Sequence, residues 1–343
     1  MNKDIEKTNS DKEITNILSL LLQLFEFVDS RRKIQGVVLL VLTFFGSVAE
    51  IVSLGAVVPF ISVLVEPESI FYSDYMSDFI NFFNINTPSE LQLPLTIMFC
   101  IAAVSAGAIR LILLWVSIRL SNATGADLSI DVYRKTLFQP YTIHVQRSSS
   151  EIISGITQKV GAATAVLLSL VTVITSFSLL LAILGTLIFI DPLIASLTLL
   201  IFGIGYFLIA FNTRKNLKMN SLSIAFEQTN VVKALQEGLG AIRDILIDGV
   251  QGLYSSIYGK SIRRLMRADA ENKFINQAPR YAMETFGLLL IASLAYVLTT
   301  KDNGANNVFP QLAALALGAQ RLLPLMQLLY GNWATISSSH AAL

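Results

Sequence analysis

Charge is what this chain has least of. Only 14% of its 343 residues are Asp, Glu, Lys or Arg, where a soluble domain carries about 25%. The net charge of +1 excludes the broad basic field that nucleic-acid binding needs. The single cysteine, Cys100, excludes an internal disulfide and reads as a space-filler inside an apolar run. The two histidines, His144 and His340, stand too far apart for metal-ligand spacing. No acid–base or metal constellation is visible, so a membrane enzyme is a poor reading. The first thirteen residues are polar and charged, so no cleavable leader is expected and the first apolar span would direct insertion.

What is present is apolar. Hydrophobic residues make up 53% of the chain, gathered into six runs at about 34–65, 91–120, 160–190, 192–212, 278–300 and 309–336. About twenty apolar residues suffice for a helix to cross roughly 30 Å of hydrocarbon. The expected fold class is therefore an all-α membrane protein with six long spanning helices. Residues 1–33 form a tail ending in an amphipathic segment, 14–29, that reads as a helix lying in the membrane interface. Residues 34–343 form the membrane domain. Between the first two spans, Tyr75, Met76, Phe79, Ile80 and Phe83 share one helical face, giving a second surface helix on the outer side.

The basic residues fix an orientation. Of the 25 Lys and Arg, all but Lys301, Arg110 and Arg321 lie in the N-terminal segment, at Arg119, or in the connections and helix ends after spans two and four. The segment 66–93 has none. Both termini are then expected on the cytoplasmic side.

Local signals divide the long inner connections. Thr87-Pro88-Ser89-Glu90 opens a helix with a capping box. The helical pattern of span two runs on to Gln139, where Pro140 stops it. Ser148 and Glu151 make a second capping box leading into span three. Asp191-Pro192 allows only a tight turn before span four. Residues 213–276 are polar and basic yet helical in period, and Gly238, Gly240, Gly249 and Gly252 bracket a short central piece. A structureless connection of sixty residues would be unusual. The membrane helices are therefore expected to continue outward as two helical hairpins with short tips, at about 140–147 and 243–254.

Charges inside the apolar runs form the candidate site. Glu50, Arg110, Glu284 and Arg321 lie within them, and Arg280 lies at the inner edge of span five. A charge at mid-bilayer costs about 2.5–3.5 kcal/mol on insertion scales. Such residues face the protein interior or a wet cavity. Arg280 and Glu284, four apart, share a helical face. One reading pairs the arginines with the glutamates between helices. The other gives an anionic substrate a basic lining, because the planar guanidinium fork suits phosphate and two acids cannot neutralise three bases. Pro279 and Pro324 would loosen spans five and six.

With these residues in view, the chain resembles the membrane domain of an ABC exporter. The stretch LFQPYTIHVQRSSSEIISGITQKV (Leu137–Val160) is similar to that family's first coupling-helix region, and GAIRDILIDGVQGLY (Gly240–Tyr254) to its second. Glu50 followed by Val58-Pro59-Phe60-Ile61, Arg110, Ala278-Pro279-Arg280 with Glu284 and Gly287, and Arg321-Leu322-Leu323-Pro324 resemble the branch of lipid-linked oligosaccharide flippases.

The resemblance implies a fold, a partner and a set of roles. Arg110, Arg280 and Arg321, with Glu50 and Glu284, would line the substrate cavity, the arginines handling a pyrophosphate. The outer helix, 73–83, would engage the lipid tail. Pro140, Tyr141, His144, Arg243, Ile245 and Leu246 would couple to an ATPase domain. That domain, with its ATP and magnesium, is not in this chain, since no G-x-x-x-x-G-K-[ST] phosphate loop occurs. The chain is accordingly expected to be a fragment, or a half served by a separate motor. Expected partners are that ATP-binding domain, a second copy of the chain, membrane lipid and the lipid-linked substrate. The expected setting is a bacterial inner membrane. Two alternatives stand beside this reading: an exporter of peptides or drug-like molecules, and a membrane scaffold without a motor.

Overall fold

The computed structural model describes residues 29–56, 87–190, 192–300 and 308–339, and single positions between 60 and 85. Several side chains within 190–198, 290–300 and 308–321, that of Arg321 included, fall outside the described set. So do most of the two amphipathic surface segments, 14–28 and 73–84, as well as Asp191 and His340.

Nearly all of the described residues are helical, and none of them forms a strand. Helix α1 runs Ser30–Gly55. A short 3₁₀ turn, Pro88–Leu91, then leads into α2, Gln92–Leu137. Two six-residue helices follow, α3 at Tyr141–Gln146 and α4 at Ser149–Ser154. A π turn, Gly155–Lys159, joins α4 to α5, Val160–Ile190. The chain continues as α6 (Pro192–Gly240), α7 (Ile242–Asp248), α8 (Gln251–Thr300) and α9 (Val308–Ser338). Among the described residues three helical stretches, against the six expected, are long and apolar enough to cross a membrane: Ser30–Ser53, Pro88–Leu137 and Ser149–Phe189.

The breaks fall where local chemistry requires them. Glu90 reaches back to accept the Thr87 N–H at 3.3 Å, and Pro88 takes the first-turn position whose N–H would go unused. The Ser148 hydroxyl accepts the Glu151 N–H at 3.3 Å and starts α4. Helix α7 ends at Gly249, whose φ of 68° favours glycine, and the Val250 N–H returns to the Ile245 carbonyl at 3.2 Å.

Length separates these helices from ordinary spans. Helices α2, α6 and α8 have 46, 49 and 50 residues. At 1.5 Å per residue that is roughly 70–75 Å each, more than twice a hydrocarbon core. The polar halves of α6 and α8 pair as a hairpin with α7 across its tip. The Ser154 hydroxyl lies 3.5 Å from that of Thr229, placing the first connection against the second hairpin.

Packing forms two groups of three, α1/α2/α5 and α6/α8/α9, joined chiefly where α5 meets α9. The main core sits at that seam, with Ile183 of α5, Phe202 of α6, Met283 of α8 and Leu322 and Met326 of α9 all buried. Glycine permits the closest approach within the first group. A Cβ on Gly125 would run into the Thr164 side chain of α5. Outward, α1 exposes Ile34, Val37, Val41, Phe44 and Phe45, an apolar stripe too long to leave against water.

Candidate functional site

A cleft of about 670 Å³ opens between α1, α2, α5 and α9. Its walls are mostly aliphatic and aromatic, and the polar groups gather on a few positions: Glu50, Arg110, Ser117, Thr172, Thr175, Ser176 and Gln320. Glu50 is 2% exposed, and Arg110 reaches it from α2 at 3.0 Å while staying 44% exposed itself. The carboxylate therefore forms the back of the site and the guanidinium its face. This pairing lowers the cost of placing both charges in an apolar wall. A guanidinium carries five N–H donors, more than one carboxylate contact uses.

The remaining polar lining follows from helix chemistry. The Thr172 hydroxyl donates to the Leu168 carbonyl at 2.8 Å, which leaves its oxygen as an acceptor toward the cleft. Pro324 has no N–H, so the Gln320 carbonyl four residues earlier loses its helical donor beside the same cleft. Backbone freed at membrane depth is tolerated where it lines a wet cavity or meets a side chain.

Pro279 has the second kind of solution. Its missing N–H would have bonded the Ile275 carbonyl, and the Tyr330 hydroxyl of α9 donates there instead, at 3.1 Å. The same hydroxyl lies 3.3 Å from that of Thr213 on α6. Tyr330 thus ties three helices at one point.

The other arginines occupy different places. Arg280 bonds Glu284 on its own helix at 2.7 Å, with both side chains about half exposed, and neither lines the cleft. Arg321 lies on α9, and its side chain is outside the described residues. Within one chain the cleft therefore gathers Glu50 and Arg110 but not Arg280 or Glu284.

The tips present apolar surface. Pro140 caps α3 in an extended conformation. Tyr141 is 81% exposed, Phe138 and Val145 are also open, and His144 is half-buried. On α7, Arg243, Leu246 and Ile247 are exposed, whereas Ile245 is 4% exposed and anchors the short helix instead of showing a surface. Among the described residues no group of three or more His, Cys, Asp or Glu could hold a metal ion.

Sequence reasoning passed over several of these residues. Pro279 pointed to a freed carbonyl at Ile275, which was the signal for Tyr330. Thr172 and Ser176 carried no signal, because hydroxyls are common in apolar helices that bond their own carbonyls. In comparisons with known proteins, the chain matches no family model and no curated sequence.

Proposed function

We propose that this chain is the membrane-spanning unit of an ATP-driven exporter that moves a lipid-linked oligosaccharide, or a similar anionic lipid, outward across a bacterial inner membrane. Two copies enclose the cavity. The tips at Tyr141 and Leu246 dock on nucleotide-binding domains, which hold ATP and magnesium, and Arg110 meets the substrate's phosphate. The observation that carries the reading is the form of the connections. Helices roughly 70–75 Å long run far beyond any bilayer and end in short helices with open apolar side chains. Such a lever transmits movement only if something grips its end.

The test is purification of the tagged full-length protein from its native membranes. ATPase activity should accompany the unaltered chain and be lost with Tyr141→Asp plus Leu246→Asp. A separate ATPase polypeptide retained by that variant rejects docking at these tips, and no ATPase activity with the unaltered chain favours the motorless scaffold. In a flipping assay, Arg110→Ala, Arg280→Ala and Arg321→Ala together should abolish transport.

A second reading, export of an uncharged cargo, draws support from one geometric fact. Both arginines whose side chains are described already face a carboxylate. On that reading the triple variant transports normally.

A further inference from the structure

A smaller pocket, of about 260 Å³, lies between the legs of the first connection. Val132 and Thr136 of α2 form one side. Arg147, just before α4, Glu151 of α4, and Ile156 and Lys159 of the π turn stand on the other. None of these residues lines the cleft between α1, α2, α5 and α9.

Its polar groups are uncommitted. Among the described residues the side chains of Arg147, Glu151 and Lys159 make no ion pair and no hydrogen bond. Lys159 is nevertheless half-buried, and a cation drawn away from water without a partner is costly. It closes the π turn, where the Val160 N–H bonds the Gly155 carbonyl, and such turns are frequent at functional sites. The Thr136 hydroxyl donates to the Val132 carbonyl at 2.8 Å, which leaves its oxygen as an acceptor.

The pocket thus offers two kinds of contact. Arg147 and Lys159 present two positive charges, the first as a planar fork. Glu151 and Thr136 present acceptors. Two charges on one small group match a phosphomonoester, which carries about −1.5 to −2 at pH 7. The acceptors call for hydroxyl donors on the same ligand, whereas a bare anion would meet Glu151 only as a like charge. At roughly 30 Å³ for each water-sized group, this volume suits about nine heavy atoms, a phosphate with a short hydroxylated body.

Depth sets the source of the ligand. Thr136 stands sixteen residues past Leu120, where the apolar run of α2 ends, or roughly 24 Å along the helix. Helix α5 agrees. Its 31 residues measure roughly 46 Å, about 16 Å more than a hydrocarbon core. With Ile190 at the outer edge, Lys159 lies at least that far beyond the inner one. The polar layer of a bilayer is roughly 5–7 Å thick on each side. The pocket therefore opens to water, out of reach of lipid headgroups.

We propose that this pocket binds a small, water-soluble phosphomonoester bearing hydroxyls, which bridges α2 to the π turn. The inference needs the apolar runs to cross a membrane but neither a motor nor transport.

The test is calorimetric titration of the full chain in phosphatidylcholine nanodiscs, without nucleotide, with glycerol 3-phosphate as the probe. One molecule should bind per chain and slow hydrogen exchange in peptides within 132–159. Arg147→Gln alone should weaken binding about tenfold, and with Lys159→Gln about a hundredfold, from the loss of charge-assisted contacts. Sulfate, a dianion without hydroxyls, should bind about tenfold more weakly than the probe, and Glu151→Gln should close that gap by removing the like charge. Phosphatidic acid added to the nanodisc should not compete. No binding of the probe at millimolar concentration, or binding untouched by either arginine variant, overturns the proposal. Equal affinity for sulfate in the unaltered chain overturns the hydroxylated class, and competition by phosphatidic acid overturns the soluble source. None of these results depends on whether the chain exports anything.

Discussion

Two buried glutamates, one in each half of the molecule, make the same contact in different solvents. In the apolar half Glu50 is 2% exposed and meets Arg110 across helices at 3.0 Å. In the hairpin Glu227 is 3% exposed and meets Arg264 at 3.3 Å, with the Asn230 amide also at 3.3 Å. The arginines are 44% and 58% exposed. The geometry is nearly identical, but the exposed part of Arg264 lies on a polar hairpin, and that of Arg110 faces an apolar cleft. A carboxylate stripped of its partner is costly in both places, and more so against the apolar walls of the cleft. The hairpin pair is thus a clasp, and the cleft pair is held together by the absence of alternatives. An anionic substrate would provide such an alternative.

The sharpest way to break this comparison is Arg110→Leu. It should cost about 3–5 kcal/mol, read as loss of monodisperse protein after extraction, and Glu50→Gln in the same chain should recover most of it. Arg264→Leu should cost less, about 1–2 kcal/mol, in a thermal melt. High salt should erode the Arg264 contribution and leave that of Arg110 nearly intact. Equal losses in the two variants would show that the cleft is as wet as the hairpin. Next in size, Tyr330→Phe should cost about 1 kcal/mol by orphaning the Ile275 carbonyl. Adding Pro279→Ala restores a helical N–H and should return the melt to near its starting point; a purely additive double variant would reject the substitution of one donor for the other. The smallest effect belongs to Arg280→Ala, about 0.3–0.5 kcal/mol for an exposed pair four residues apart.

Local chemistry was legible in the sequence, and tertiary choice was not. Pro140, Ser148 with Glu151, and Gly249 each fix a break through their own backbone needs, and the structure places breaks there. The partnership of Arg280 with Glu284 follows from helical spacing alone. The choice of Glu50 for Arg110 depends on how α1 packs on α2, which periodicity does not encode. Tyr330 was hidden for a related reason: its role depends on a proline fifty-one positions earlier. The charge of the cavity was visible as an inventory but not as an arrangement. Of the three arginines in or beside the apolar runs, only Arg110 lines the cleft, and both Arg110 and Arg280 already face carboxylates.

The π turn at Gly155–Lys159 has a consequence for how this chain tolerates editing. A wider loop of the backbone ladder accommodates one surplus residue while the helices before and after keep their facing. Removing a single amino acid within that turn should tighten it to an ordinary helical turn and leave α5 seated in its groove. The same deletion a few residues on, beyond Val160, would rotate the seam-forming side of α5 by about 100° and separate the two groups of helices.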